Sequence, residues 1–152
     1  MKEAFEIAKR NGNKGLVILT QANPEFETMW APRRLGGYMR VLIDELRGLT
    51  PPQLAEIRKK SSFTDLLRML EAEVVAFGKP VLFVHGDTHI FRVDKPLFNT
   101  TNRRGIENFT RLEVFGTPQT HWVRVVVDPG DPALFTVKPE IVQKNVVRHA
   151  AK

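Results

Sequence analysis

At 152 residues, 42% hydrophobic and 26% charged, the chain has the apolar content of one packed domain and too much of it for a disordered one. The absence of cysteine excludes disulfides, thiolate metal sites and cysteine nucleophiles, and leaves His, Asp, Glu, Asn and Gln as possible ligands. Net charge is +6, which favours anionic partners, but the basic residues are scattered in small groups (Arg33-Arg34, Arg58-Lys59-Lys60, Arg103-Arg104) without interleaved aromatics, so a nucleic-acid surface is not indicated.

No apolar run approaches the roughly 20 residues of a membrane helix, so no membrane partner is expected. The charged start, Met1 to Glu6, does not read as a secretory signal, and a cytoplasmic address is the default. Residues 2–10 read as a short amphipathic helix closed by Asn11-Gly12-Asn13. The apolar run 15–20 suits a strand covered on both faces, and Gln21-Ala22-Asn23-Pro24 breaks it. Phe26, Met29 and Trp30 read as a helical turn or a packed loop. Leu35 to Leu46 is spaced as a helix, and Thr50-Pro51-Pro52 opens a short one through Lys60. Ser62 and Asp65 resemble a capping box before the stripe Phe63, Leu66, Leu67, Leu70, Val74 and Phe77. Gly78-Lys79-Pro80 stops that helix, and a second buried strand, 81–85, follows.

Helix, strand, helices, strand implies a parallel pair, 15–20 and 81–85, joined by a helical crossover. Beyond His89 the pattern alternates. Antiparallel strands are expected at 90–94, 109–115, 121–127 and 134–138, with 95–108 an exposed loop and the turn Asp128-Pro129-Gly130-Asp131-Pro132 between the last two. The fold class is α/β, a layered sandwich, with one domain over 1–145 and a basic tail at 146–152.

Chemistry gathers at the carboxyl end of the second strand, in Val84-His85-Gly86-Asp87-Thr88-His89. Gly86 allows a sharp turn and a close approach to a ligand. A carboxylate and an imidazole two positions apart suit a divalent zinc, manganese or iron ion. The same residues also read as a turn in which Asp87 caps backbone N–H groups and His89 is a strand-end histidine. His85 reads as a packed histidine or as support behind Asp87. Gln21 and Asn23, past the end of the neighbouring parallel strand, fall where open α/β sheets place ligands, or are loop amides bonded to backbone. His121 reads as structural and His149 as solvated. Arg92, Arg111 and Arg124 alternate along strands and read as lining a solvent face, or one of them as contacting a phosphate. No G-x-S-x-G, G-x-x-x-x-G-K or G-x-G-x-x-G motif occurs.

Val81 to His89 resembles the last metal-binding motif of the calcineurin-like metallophosphoesterases, in which a strand ends in Gly-His-x-His. Here it reads Gly86-Asp87-Thr88-His89, with Asp for the first histidine. An earlier strand of that family ends in a lone metal-binding histidine, often followed closely by proline. Leu16 to Pro24 is similar, with Gln21 at the histidine's place. The segments 108–116 and 121–124 look like the C-terminal portion of an uncharacterised bacterial branch, and the resemblance spans about residues 1–145. The family's D-x-H, G-D-x-x-D and G-N-H-D/E motifs do not occur in order. Asp87-x-His89 matches the first by pattern, but the other two do not follow it.

The resemblance therefore implies the C-terminal half of such a protein, with Met1 an internal start or a split product. It implies Asp87, His89 and Gln21 as metal ligands, with His85 and Asn23 behind them. The cofactors implied are divalent manganese, iron or zinc, dinuclear at about 3.5–4 Å only with the missing half, and the substrate is a phosphoester small molecule. The isolated chain is expected to be inactive or incomplete, completed by a separate N-terminal half or by self-association, with an apolar edge left open. The alternatives are a non-catalytic binding module on the same fold and a basic nucleic-acid-binding domain.

Overall fold

In a computed structural model of the chain, described over residues 1–26, 63–102, 104–118 and 120–146, helices and strands assemble a mixed α/β structure. The expected helices at 35–46 and 51–60, Met29, Trp30, Ser62, His149 and the tail from 147 lie outside the described residues.

Helix α1 (Lys2–Arg10) buries Phe5 and Ala8. It ends where Asn11 N–H bonds Ile7 O at 2.9 Å, and Gly12 takes the left-handed turn at φ 66°. After strand β1 (Leu16–Leu19), helix α2 (Thr64–Phe77) buries Leu67, Leu70, Val74 and Phe77, one stripe at spacings of three and four. Burying each such side chain is worth about 1.5–3 kcal/mol over leaving it exposed. Gly78, at φ 64°, ends α2 with its N–H on Val74 O, a conformation glycine adopts without a Cβ penalty. Phe5 meets Phe77 edge-on at 5.9 Å, and Lys9 pairs with Glu73 at 3.1 Å; together these lock α1 on α2.

Strand β2 (Val81–His85) lies parallel to β1, with Ile18 opposite Phe83, as the crossover argument requires. Next come β3 (Arg92–Asp94), the small hairpin β4 (Phe98–Asn99) and β5 (Arg104–Gly105), and β6 (Phe109–Glu113). The sheet order is β1-β2-β6-β3. Here the structure corrects the sequence reading, because β6 pairs parallel to β2 (Val81 with Phe109 through His85 with Glu113) and antiparallel only to β3. The alternating pattern of 109–115 reads as a half-exposed strand. Yet Phe109, Arg111, Leu112 and Glu113 are all buried, since both polar side chains are matched by charges on β3.

Two further corrections concern 95–108 and the arginines. The expected exposed loop instead contains β4 and β5 and sends Leu97 and Ile106 into the core. Its Asn108 donates to Val74 O and Lys79 O at 3.0 and 2.9 Å, tying the end of α2 to the start of β2. Arg111 does not line solvent. It is 1% exposed, grips Asp94 through Nε and Nη2 at 2.7 and 2.5 Å, and lies 5.3 Å from the Phe26 ring centroid. Arg92 is half-buried against Glu113. Arg124 alone of the three is exposed as expected, paired with Glu140 at 3.0 Å.

The core sits between α1, α2 and the sheet face that carries Ile18, Val81, Phe83 and Phe109, with Phe26 wedged edge-on against Phe83 at 5.4 Å. The expected antiparallel pair is present as a separate ribbon, β7 (Trp122–Val127) and β8 (Phe135–Glu140), with Trp122 opposite Glu140. Its turn is closed by Asp128, whose carboxylate accepts from Gly130 N–H at 2.8 Å. A single 3-10 turn, Gln143–Asn145, follows.

Candidate functional site

Parallel strands deliver their carboxyl ends to one edge, and two loops meet there. Thr20 N–H bonds Val84 O at 3.0 Å, and Gly86 N–H bonds Gln21 O at 3.4 Å. The 20–23 loop therefore runs beside the turn that follows β2. Asn23 N–H donates to Asp87 Oδ2 at 3.1 Å, while the Asn23 side chain accepts from Glu25 N–H at 3.0 Å. The structure thus brings Gln21, Asn23, Asp87 and His89 into neighbouring loops. Gln21 and Asn23 make these contacts with Gly86 and Asp87 through their backbone.

The 86–89 turn is closed by His89 N–H on Gly86 O at 3.2 Å. His89 takes φ 63°, a left-handed conformation uncommon for a residue with a Cβ and worth following to its cause. Its ring lies over Gly116, where an added Cβ would fall 2.2 Å from the ring. Its Nδ1 sits 3.1 Å from Thr117 O. A carbonyl only accepts, so Nδ1 carries the proton, and in the neutral ring Nε2 keeps the lone pair. A backbone carbonyl on one ring nitrogen is the arrangement that orients metal-binding histidines.

Beneath the turn lies a buried polar cluster. Glu113, fully buried, accepts from Thr88 N–H at 3.0 Å and from the Thr88 hydroxyl on Oε1, and from Arg92 Nη2 at 2.6 Å on Oε2. His85, 1% exposed, faces it in register with Nδ1 3.9 Å from Oε1. Burial by itself raises the Glu113 carboxyl. The bonds from the Thr88 hydroxyl, Arg92 and Thr88 N–H, with His85 alongside, outweigh that and hold it below the usual glutamate range.

Sequence reasoning selected Asp87, His89, Gln21, His85 and Asn23 but missed Glu113, Arg92, Thr88, Gly116 and Thr117. One signal for the first two was present. Arg92-Val93-Asp94 and Arg111-Leu112-Glu113 are charge-complementary when laid antiparallel, and that is their register. His121 is structural as read, accepting from Val142 N–H at 3.3 Å and meeting Phe115 edge-on at 5.0 Å.

A cleft of about 330 Å³ lined by Lys14, Lys79 and the 129–134 turn lies at the opposite, amino end of β1 and β2, away from this chemistry. Among the described residues, no group of three or more His, Cys, Asp or Glu side chains could hold a metal ion, and no helix is long and apolar enough to cross a membrane. The turn carries one carboxylate, Asp87, and one imidazole bonded to a carbonyl, His89, and Gln21 touches it through its backbone. Comparison with protein-family models, curated proteins and solved structures found no match to this chain.

Proposed function

We propose that the 86–89 turn is one wall of a metal-dependent phosphoester hydrolase site of the calcineurin-like metallophosphoesterase kind, on a layered α/β sandwich, in a cytoplasmic protein. The observation that carries this reading is the 3.1 Å contact of His89 Nδ1 with Thr117 O, which leaves Nε2 as a donor on an exposed ring. Asp87 adds a hard oxygen donor, held by Asn23 N–H on its other oxygen, and Gln21 adds a neutral one. Carboxylate and imidazole together suit divalent zinc, manganese or iron. When bound, such an ion supplies Lewis-acid polarisation of a phosphoryl oxygen. The chain's own residues orient the imidazole through Thr117 and fix the carboxylate through Asn23.

Two charged or imidazole donors do not complete a dinuclear site. The remaining ligands are assigned to a separate polypeptide half or to a second copy of this chain. The runner-up is a binding module that kept the fold and lost the chemistry, and Gln21 and Asp87 standing at positions of expected histidines favour it.

Calorimetric titration of the chain with zinc and with manganese tests the metal reading. Weak binding of one ion, abolished by Asp87→Ala and by His89→Ala, is the expected result. Equal heats from all three proteins would remove it. Hydrolysis of a chromogenic phosphodiester by the isolated chain at the rate of the metal-buffer blank is expected as well. Hydrolysis restored by a second polypeptide carrying the absent D-x-H and G-N-H motifs separates the enzyme from the binding module.

A further inference from the structure

We propose that Glu113 is a positioning residue for this site: through Thr88 it fixes the turn from which Asp87 and His89 project. The inference rests on reading that pair as ligands. Its ground is geometry. Glu113 ends β6 fully buried, yet it spends one oxygen, Oε1, on a residue of a surface turn. That oxygen takes both the backbone N–H and the hydroxyl of Thr88, while Oε2 takes Arg92. A buried carboxylate needs its lone pairs satisfied, and an ion pair with Arg92 alone would leave Oε1 unmet by it. Charge-assisted bonds to both polar groups of one residue hold that residue in position and orientation.

Thr88 is thereby anchored on its inner side, and its two neighbours, Asp87 and His89, stand exposed on either side of it. Each neighbour has a side-chain tether of its own, Asn23 N–H for Asp87 and Thr117 O for His89, and His89 N–H on Gly86 O closes the turn. The Glu113–Thr88 bonds fasten the turn to the buried end of β6, and so act on both neighbours at once through the backbone between them.

The test uses isotope-labelled full chain, with Glu113→Gln, Thr88→Val and Thr88→Ser. Three readouts are followed: hydrogen exchange of the residue 88 amide, the nitrogen shifts of the His89 ring, and zinc affinity by calorimetry. In Glu113→Gln and Thr88→Val the amide is expected to exchange roughly tenfold faster or more. The His89 ring should lose its single Nδ1-protonated form, and zinc affinity should fall about 10- to 100-fold. Thr88→Ser, which keeps the hydroxyl, should match the wild type in all three, a rescue that general loosening of the fold does not produce. Folded Glu113→Gln and Thr88→Val with wild-type exchange and wild-type His89 shifts would overturn the proposal. Should Glu113→Gln fail to fold, Thr88→Val decides, since it leaves Glu113 and Arg92 in place. Zinc bound by none of the proteins would overturn the metal reading alone, with the exchange and ring shifts still deciding the role of Glu113.

Discussion

Gly116 has no side chain, and the His89 ring occupies the space one would fill, at 2.2 Å from the place of a Cβ. Any larger residue there must push the ring off Thr117 O. Gly116→Ala is therefore expected to cost about 1–3 kcal/mol in urea unfolding, the range for overpacking, and to weaken zinc binding. In a His89→Ala background the same substitution should cost much less, because the clashing ring is gone. An equal cost in both backgrounds would place the strain elsewhere. Nothing in the sequence marks Gly116 as a partner of His89, because the contact joins residues 27 positions apart across a loop. The turn after β2 was legible because a strand run followed by Gly-Asp-x-His is local; the tethers of Asp87 and His89 were not, since both come from other loops.

At the scale of elements, the β3–β6 pairing sets how the site responds to acid. Glu113 has a carboxyl held below its usual range in the folded chain, so the unfolded chain takes up the proton first as pH falls. Its contribution to stability is present above the unfolded value of about 4.3 and is lost as pH falls through the lower folded value. The stability gap between wild type and Glu113→Gln should therefore be widest near neutral pH and shrink below about pH 4.3. Urea midpoints measured from pH 7 to pH 3 check this, and a gap that widens toward acid would contradict it. The same pairing explains the largest error of sequence reasoning. Helix α2 and strand β2 were readable from apolar spacing alone. Strand β6 was readable as a strand but not as a buried one, because period-two alternation assumes that charges face water, and Arg111 and Glu113 face charges on β3 instead. Parallel pairing of β6 with β2 could not be read from either strand, since it depends on the route of the intervening β3–β5 segment.

Across the whole molecule, β1 is the edge of the described strand order, and Leu19 on it is 77% exposed. An edge with no strand partner among the described residues and with an exposed apolar residue is a candidate for pairing with another chain. Sedimentation velocity at rising concentration is expected to show self-association that Leu19→Lys reduces; a clean monomer in both forms would argue against an open edge. That edge lies next to the 20–23 loop and the 86–89 turn, so whatever pairs with β1 arrives beside the candidate ligands. The proposed function requires Asp87 and His89 to bind a divalent ion at this end of the sheet. Paramagnetic manganese added in small amounts to labelled chain tests it most directly. Selective broadening of resonances from residues 86–89 and 20–23, abolished by His89→Ala, is the expected result. Uniform broadening, or broadening centred on the Lys14–Lys79 end of the sheet, would contradict it.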